Sequence, residues 1–315
     1  MPVLAKADTV HAAKERSMVR TSRRGFVKGA AASCITLANI GARGFDSDAT
    51  AGLPNSVFAY EFGDISPQQQ AGFAREYGFE GTVFDHARQI PERLRALDEA
   101  HLQLFFLWLT VDISHGQIKY EPGMEAAIEA LKGRGTVVWV AIQGDGAGVG
   151  AGAEERTIQA VDRISDLSSR SNLRVALYPH YGFYLARFRD VVRVAERVGR
   201  SNVGVTFNLC HELRSGFDPE FQQLLDNAIP RLYGVTVNGA DRQGKDWSTL
   251  IQPLGRGDYD VTELVRMITK AGYRGPFGIQ CYGLKGDPGV YLKQSMAAWR
   301  VISARAAQVN SPHQS

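Results

Sequence analysis

The sequence predicts an α/β fold, a single (β/α)8 TIM barrel. Three observations predict it. Eight apolar, β-rich runs alternate with eight segments whose apolar residues recur at three- and four-residue spacing. The chain behind the leader, roughly 264 residues, is the size of one such barrel. Polar side chains gather where the β runs end, the position at which this fold carries its chemistry. An open doubly wound sheet is the alternative. It is disfavoured because no G-x-G-x-x-G follows the first strand.

The β runs are Ser56–Phe62, Gly81–Asp85, Leu102–Leu109, Thr136–Gln143, Arg174–His180, Val203–Leu209, Leu232–Asn238 and Phe277–Cys281. Between and after them the helical segments run in order. Pro67–Tyr77 and Pro91–Ala100 open with Pro in the first turn, where its missing N–H costs nothing. Met124–Lys132, Glu154–Ser168, Arg189–Val198, Pro219–Asn227, Val261–Ala271 and Val290–Ser303 complete the set. Gly78, Gly133, Gly199 and Gly272 sit just past helices, where a left-handed cap tolerates no Cβ well. Parallel strands joined by helices need right-handed crossovers, and eight of them close into a barrel. The Gly-rich stretch 144–152 follows the fourth run. It lacks the Lys-Ser/Thr of a phosphate loop and reads as a flexible lid.

Ahead of the barrel, Ser22-Arg23-Arg24-Gly25-Phe26-Val27-Lys28 resembles the twin-arginine export signal S-R-R-x-F-x-K. An apolar run, Gly29 to Ile40, follows and is too short to span a bilayer. Ala49-Thr50-Ala51 offers a small-residue cleavage site. Residues 1–51 are therefore expected to be a signal peptide and leader, with Met18 as an alternative start, and 52–315 the barrel. This implies passage through the twin-arginine translocase and a periplasmic or other extracytoplasmic location.

The whole chain has 36 Lys and Arg against 33 Asp and Glu, but the leader holds eight of the former and four of the latter. The remainder is close to neutral, which argues against nucleic acid or an anionic membrane as partner. No later run reaches the roughly 18 residues of a membrane helix. Cys210 and Cys281 read as small buried residues. Strand alternation puts Cys210 on the face of Asn208 and Cys281 opposite Gln280, which argues against their pairing.

The polar strand ends supply Glu61, Asp85, Trp108, Gln143, Tyr178, His180, Asn208, His211, Asn238, Asp241, Gln280 and Tyr282. A dry interior penalises unpaired polar groups, so such a set points to a functional pocket. Three further motifs carry a family resemblance: Val203-Gly204-Val205-Thr206-Phe207-Asn208-Leu209-Cys210-His211, Pro253-Leu254-Gly255-Arg256-Gly257-Asp258-Tyr259-Asp260 and Ala271-Gly272-Tyr273-Arg274-Gly275-Pro276. In these the chain resembles the xylose isomerase-like barrels of the sugar phosphate isomerase/epimerase superfamily, over nearly all of 56–303.

The resemblance implies a carbohydrate substrate, isomerase, epimerase or lyase-like chemistry, a homodimer as a common assembly, and one divalent metal held by Glu, Asp, His and Glu. The matching positions here are Tyr178 (or its neighbour His180), Asn208, Asn238 and Gln280, all without the expected charge. Mn²⁺ and Mg²⁺ favour anionic oxygens, so a Mn, Mg or Zn ion would bind weakly, through Asn208, His211, Asn238 and Gln280. Amides exchange no protons at neutral pH. Acid–base work then falls to His180, His211 and Asp241, with Glu61, Asp85, Trp108, Gln143, Tyr178, Asn208, Asn238, Gln280 and Tyr282 binding substrate. A non-catalytic sugar-binding barrel is the rival reading.

Overall fold

The computed structural model describes residues 56–63, 65–144 and 150–308. Every described residue lies in one compact unit. The export motif, its cleavage site and the centre of the Gly-rich stretch lie outside the described residues.

Eight parallel strands close into a barrel: β1 (Val57–Tyr60), β2 (Gly81–Phe84), β3 (Gln103–Asp112), β5 (Val137–Gln143), β6 (Arg174–Leu177), β7 (Val203–Asn208), β8 (Leu232–Val237) and β9 (Phe277–Gln280). The hydrogen-bonded order is β2-β1-β9-β8-β7-β6-β5-β3, and the β2–β3 pairing closes it. The short β4 (Lys119–Tyr120) pairs antiparallel with the end of β3. Around the barrel run α1 (Pro67–Tyr77), α2 (Ile90–Glu99), α3 (Met124–Ala130), α4 (Ala153–Arg170), α5 (Phe188–Val198), α6 (Leu209–Arg214), α7 (Phe221–Ala228), α8 (Trp247–Leu250), α9 (Val261–Lys270) and α10 (Pro288–Gln308). All eight predicted strands and eight predicted helices are present. None of the described helices is long and apolar enough to cross a membrane.

The caps follow the sequence. Ser66 forms a capping box with Gln69 ahead of Pro67. Gly78 and Gly199 end α1 and α5 at φ 83° and 67°.

Two differences bear on the site. Leu209, expected to end a strand, begins α6, so Cys210 lies on a helix and strand alternation does not apply to it. Cys210 and Cys281 are both free and buried. The second difference is β6, which ends at Leu177. Tyr178 and His180 therefore stand beyond the strand. The Tyr178 N–H still donates to Val140 O at 2.9 Å and carries the β-sheet pattern one residue further.

The barrel interior is aromatic. Phe58, Tyr60, Phe106, Trp139 and Tyr178 fill it, and the Phe106 and Trp139 rings stack with centroids 4.0 Å apart. Such rings fit because the adjacent strand β9 and the facing strand β8 carry glycine. A Cβ on Gly278 would sit 2.3 Å from Phe58 Cζ, and one on Gly234 would sit 2.7 Å from Phe106 Cζ. Aliphatic residues of the strands' other faces pack under the helices as the main core, Val138, Val140, Ile142, Val205 and Val235 among them. The plug makes the lower barrel solid, so chemistry is confined to its C-terminal mouth.

Candidate active site

The floor of the mouth is a buried polar cluster. The Tyr60 and Tyr178 hydroxyls lie 3.4 Å apart. Asn208 Nδ2 donates to both, at 3.3 Å to Tyr60 and 2.5 Å to Tyr178. Its Oδ1 accepts the His211 N–H at 3.3 Å and the Cys210 thiol at 3.1 Å, which makes Asn208 the N-cap of α6. Burial holds both tyrosines protonated, with pKa values well above the ordinary phenol.

The capped helix carries His211 to the wall of the mouth. The Glu212 carboxylate, pushed up by burial, accepts the Phe188 N–H at 2.9 Å and the Asp218 N–H at 3.2 Å, tying α6 to the start of α5. The His211 and His180 rings face each other with centroids 4.2 Å apart. Backbone groups of one residue orient both. The Tyr181 N–H donates to His211 Nδ1 at 3.3 Å, and His180 Nδ1 lies 2.9 Å from Tyr181 O. An N–H donates and a carbonyl accepts, so neutral His211 carries its proton on Nε2 and neutral His180 carries its own on Nδ1. One ring thus offers a donor at Nε2, the other a basic lone pair. Burial first, and the neighbouring His180 second, hold the His211 pKa well below the usual imidazole value.

Aromatic rings line this wall. Trp247 meets His211 edge-on at 5.4 Å, Phe183 lies 4.0 Å from His180, and Trp108 lies 6.4 Å from both Tyr178 and His180. The Arg214 guanidinium covers the rings of Tyr181 and Trp247.

Glu61 follows β1 with φ at 57°, a left-handed conformation that costs a non-glycine residue about 1 kcal/mol. The residue is exposed overall, and desolvation of its carboxyl first and the negative Asp85 second push the pKa up to about 7.

The predicted residues divide. Tyr178, His180, Asn208 and His211 come together with Tyr60, and Trp108 borders them. Glu61 follows β1 and Gln280 ends the neighbouring β9, and Tyr282, half exposed, donates its N–H to Gln280 Oε1 at 3.4 Å. Asp85 is committed elsewhere, in a 2.7 Å ion pair with Arg93. Asp241 sits on the loop after β8, where its backbone bonds to Thr249 and Gly244. Gln143 ends β5, and its carbonyl accepts the Ile113 N–H. Tyr60, Phe183, Trp247 and Arg214 were missed. Tyr60 stands in the expected strand Ser56–Phe62 beside Glu61, and Trp247 opens a four-residue helix too short for spacing to signal it.

The four expected metal positions do not make a metal site. The Tyr178 hydroxyl and both ends of Asn208 are used within the floor. Gln280 Oε1 accepts from Tyr282. Asn238 Nδ2 donates to Gly239 O and Leu250 O at 2.8 and 2.7 Å, which leaves its buried Oδ1 as the one orphaned oxygen of the four. The buried imidazole of His211 adds one nitrogen. A neutral oxygen and an imidazole are a poor set for a divalent ion. Among the described residues, no group of three or more His, Cys, Asp or Glu is placed to hold a metal.

The family description "xylose isomerase-like TIM barrel" matches residues 36–301. No curated protein matches the sequence. Among solved structures, the chain is similar to a xylose isomerase-like TIM barrel/4-hydroxyphenylpyruvate dioxygenase fusion protein at 15% identity and TM-score 0.64. That match covers 82% of this chain and 45% of the fusion, so the chain spans less than half of it. It is similar to a 3-keto-D-glucoside 4-epimerase from E. coli at 16% identity and TM-score 0.64, covering 78% of this chain and 99% of that one. It is also similar to an IolI protein solved with a bound zinc atom, at 13% identity and TM-score 0.60, covering 81% and 99%. At such identities the likeness to these structures is one of fold.

Proposed function

Because the chain belongs to the xylose isomerase-like TIM barrel family, we propose that it is a sugar-acting isomerase or epimerase that moves a proton beside a carbonyl with two histidines in place of a metal. The observation that carries this reading is the opposed pair of tautomers at 4.2 Å. His180 Nε2 takes the proton on the carbon next to the substrate carbonyl. The C–H electrons form the new C=C bond, and the carbonyl π pair moves onto oxygen. The His211 Nε2–H donates to that oxygen as its negative charge grows. A buried, aromatic-lined wall strengthens this hydrogen bond and suits the apolar face of a sugar ring. Elimination begins with the same proton removal, so a lyase shares this first step.

The orphaned Asn238 Oδ1 favours one second reading, a barrel that binds sugar hydroxyls without chemistry. One experiment separates the two. The chelator-treated protein is incubated in D₂O with a 3-keto-D-glucoside, D-fructose and D-tagatose, and deuterium uptake is followed by NMR. Uptake beside the carbonyl supports the enzyme. A rise in melting temperature without uptake supports the binder. Uptake that appears only after Mn²⁺ or Zn²⁺ is restored overturns the metal-free reading. The site of action proposed for this enzyme is extracytoplasmic, reached by twin-arginine export. The support for that is the motif at Ser22–Lys28.

A further inference from the structure

We propose that Arg214 makes this site specific for sugar acids, binding a carboxylate of the substrate while the histidine pair works on its carbonyl. The inference rests on the function proposed above and names its substrate class.

The first support is position. Arg214 and His211 are three residues apart on α6, so their side chains leave one face of the helix with Cβ atoms about 5–6 Å apart. One indole then joins them. The His211 ring meets that of Trp247 at 5.4 Å, and the Arg214 guanidinium carbon lies 5.9 Å from the same ring and 5.1 Å from that of Tyr181. The Trp247 and Tyr181 rings meet edge to face at 6.0 Å. Tyr181 is also the residue whose backbone orients both histidines. The positive charge is thus fixed beside the pair. A six-carbon chain can place its carbonyl at the histidines and its far end at Arg214.

The second support is a charge left without a counter-ion. Arg214 Nη1 donates to Lys245 O, while Nε is buried with no partner. Arg266 also has a buried, unpartnered Nε, but Glu263 neutralises it. Among the described residues no carboxylate pairs with Arg214. The acids nearest to it in sequence are committed elsewhere. Glu212 accepts the Phe188 and Asp218 N–H groups, and Asp246 Oδ1 takes the Thr249 N–H and the Ser248 hydroxyl at the start of α8. A guanidinium that has exchanged water for aromatic rings and gained no anion is a site for one.

The chemistry of that anion follows from the donor. A planar guanidinium matches a planar carboxylate, and one cation balances its single charge. A phosphate monoester carries close to two charges and calls for a second cation. The other groups bordering the pair, Trp108, Tyr178, Phe183 and Trp247, are all neutral.

The test uses matched ketoses in D₂O. D-fructose is paired with D-fructuronate and D-tagatose with D-tagaturonate, each pair differing only in a terminal CH₂OH or carboxylate. D-fructose 6-phosphate is the phosphate probe. Deuterium uptake gives kcat/KM for wild type, Arg214→Gln and Arg214→Lys. Wild type should prefer each acid to its alcohol by about 10- to 100-fold. Arg214→Gln should erase that preference, and Arg214→Lys, which keeps the charge without the fork, should restore part of it. Equal use of acid and alcohol by wild type overturns the proposal, as does a preference that survives in Arg214→Gln. Preference for the phosphate over D-fructuronate overturns the assignment to a carboxylate. Melting temperatures with the same compounds separate this proposal from the reading beneath it. A rise with the acids that Arg214→Gln abolishes, without uptake, ends the enzyme reading and supports the carboxylate site. No uptake and equal shifts with acid and alcohol overturn both.

Discussion

His180 and His211 face each other at 4.2 Å, and the backbone of Tyr181 gives them opposite tautomers. A symmetric pair of imidazoles would compete for one role. This pair is divided into an acceptor and a donor by two bonds that side-chain substitution at Tyr181 does not remove. His180→Gln and His211→Gln should each lower turnover by about 100-fold or more, with far-UV circular dichroism unchanged. Tyr181→Phe should leave turnover within a few fold.

His211 also ties stability to pH. Its folded pKa is depressed by burial and by His180, so the unfolded chain binds its proton more readily. The contribution is present above the unfolded value of about 6.5 and is lost as pH falls below it. Melting temperature from pH 7.5 to 5 should fall less steeply in His211→Gln than in wild type.

Glu61 works in the opposite sense. Its folded pKa of about 7 lies above the ordinary 4.5, raised by burial first and by the negative Asp85 second. The folded state holds this proton more tightly, so the contribution is full below pH 4.5 and is lost as pH rises through 7. Glu61→Gln should raise the melting temperature more at pH 8 than at pH 5. Glu61→Gly should add stability through relief of the positive φ.

Asn208 holds the floor and the helix together. Asn208→Ala removes the cap of α6 and the donor shared by two buried hydroxyls. Urea unfolding should show a loss of about 2–4 kcal/mol, the sum of a cap and an unsatisfied buried partner.

The plug below the site depends on glycine. Gly278→Ala places a methyl against the Phe58 ring and should cost about 1–3 kcal/mol in urea unfolding. Phe58→Leu in the same chain should recover part of that loss.

Export is testable by itself. Residues 1–51 fused to a folded reporter should deliver it outside the cytoplasm. Replacing Arg23 and Arg24 together by Lys should retain it inside.

The alternation of β-rich and helical periods determined the barrel, because burial on both faces of a parallel strand leaves short continuous apolar runs, β-branched and aromatic, between longer stretches of helical spacing. The polar strand ends likewise named most residues of the mouth. The family resemblance implied charged ligands at the positions where the sequence has Asn208, Asn238 and Gln280, so the missing charges were legible only through that resemblance. Three matters were decided by tertiary structure. Asp85 pairs with Arg93 and leaves the histidine cluster, a choice made by the packing of α2. Trp247 from the four-residue α8 and Phe183 from a loop reach the histidines, and both segments are too short for periodicity to guide prediction. The tautomers of His180 and His211 depend on where one backbone N–H and one carbonyl point, and direction in space is set only once the whole barrel has closed.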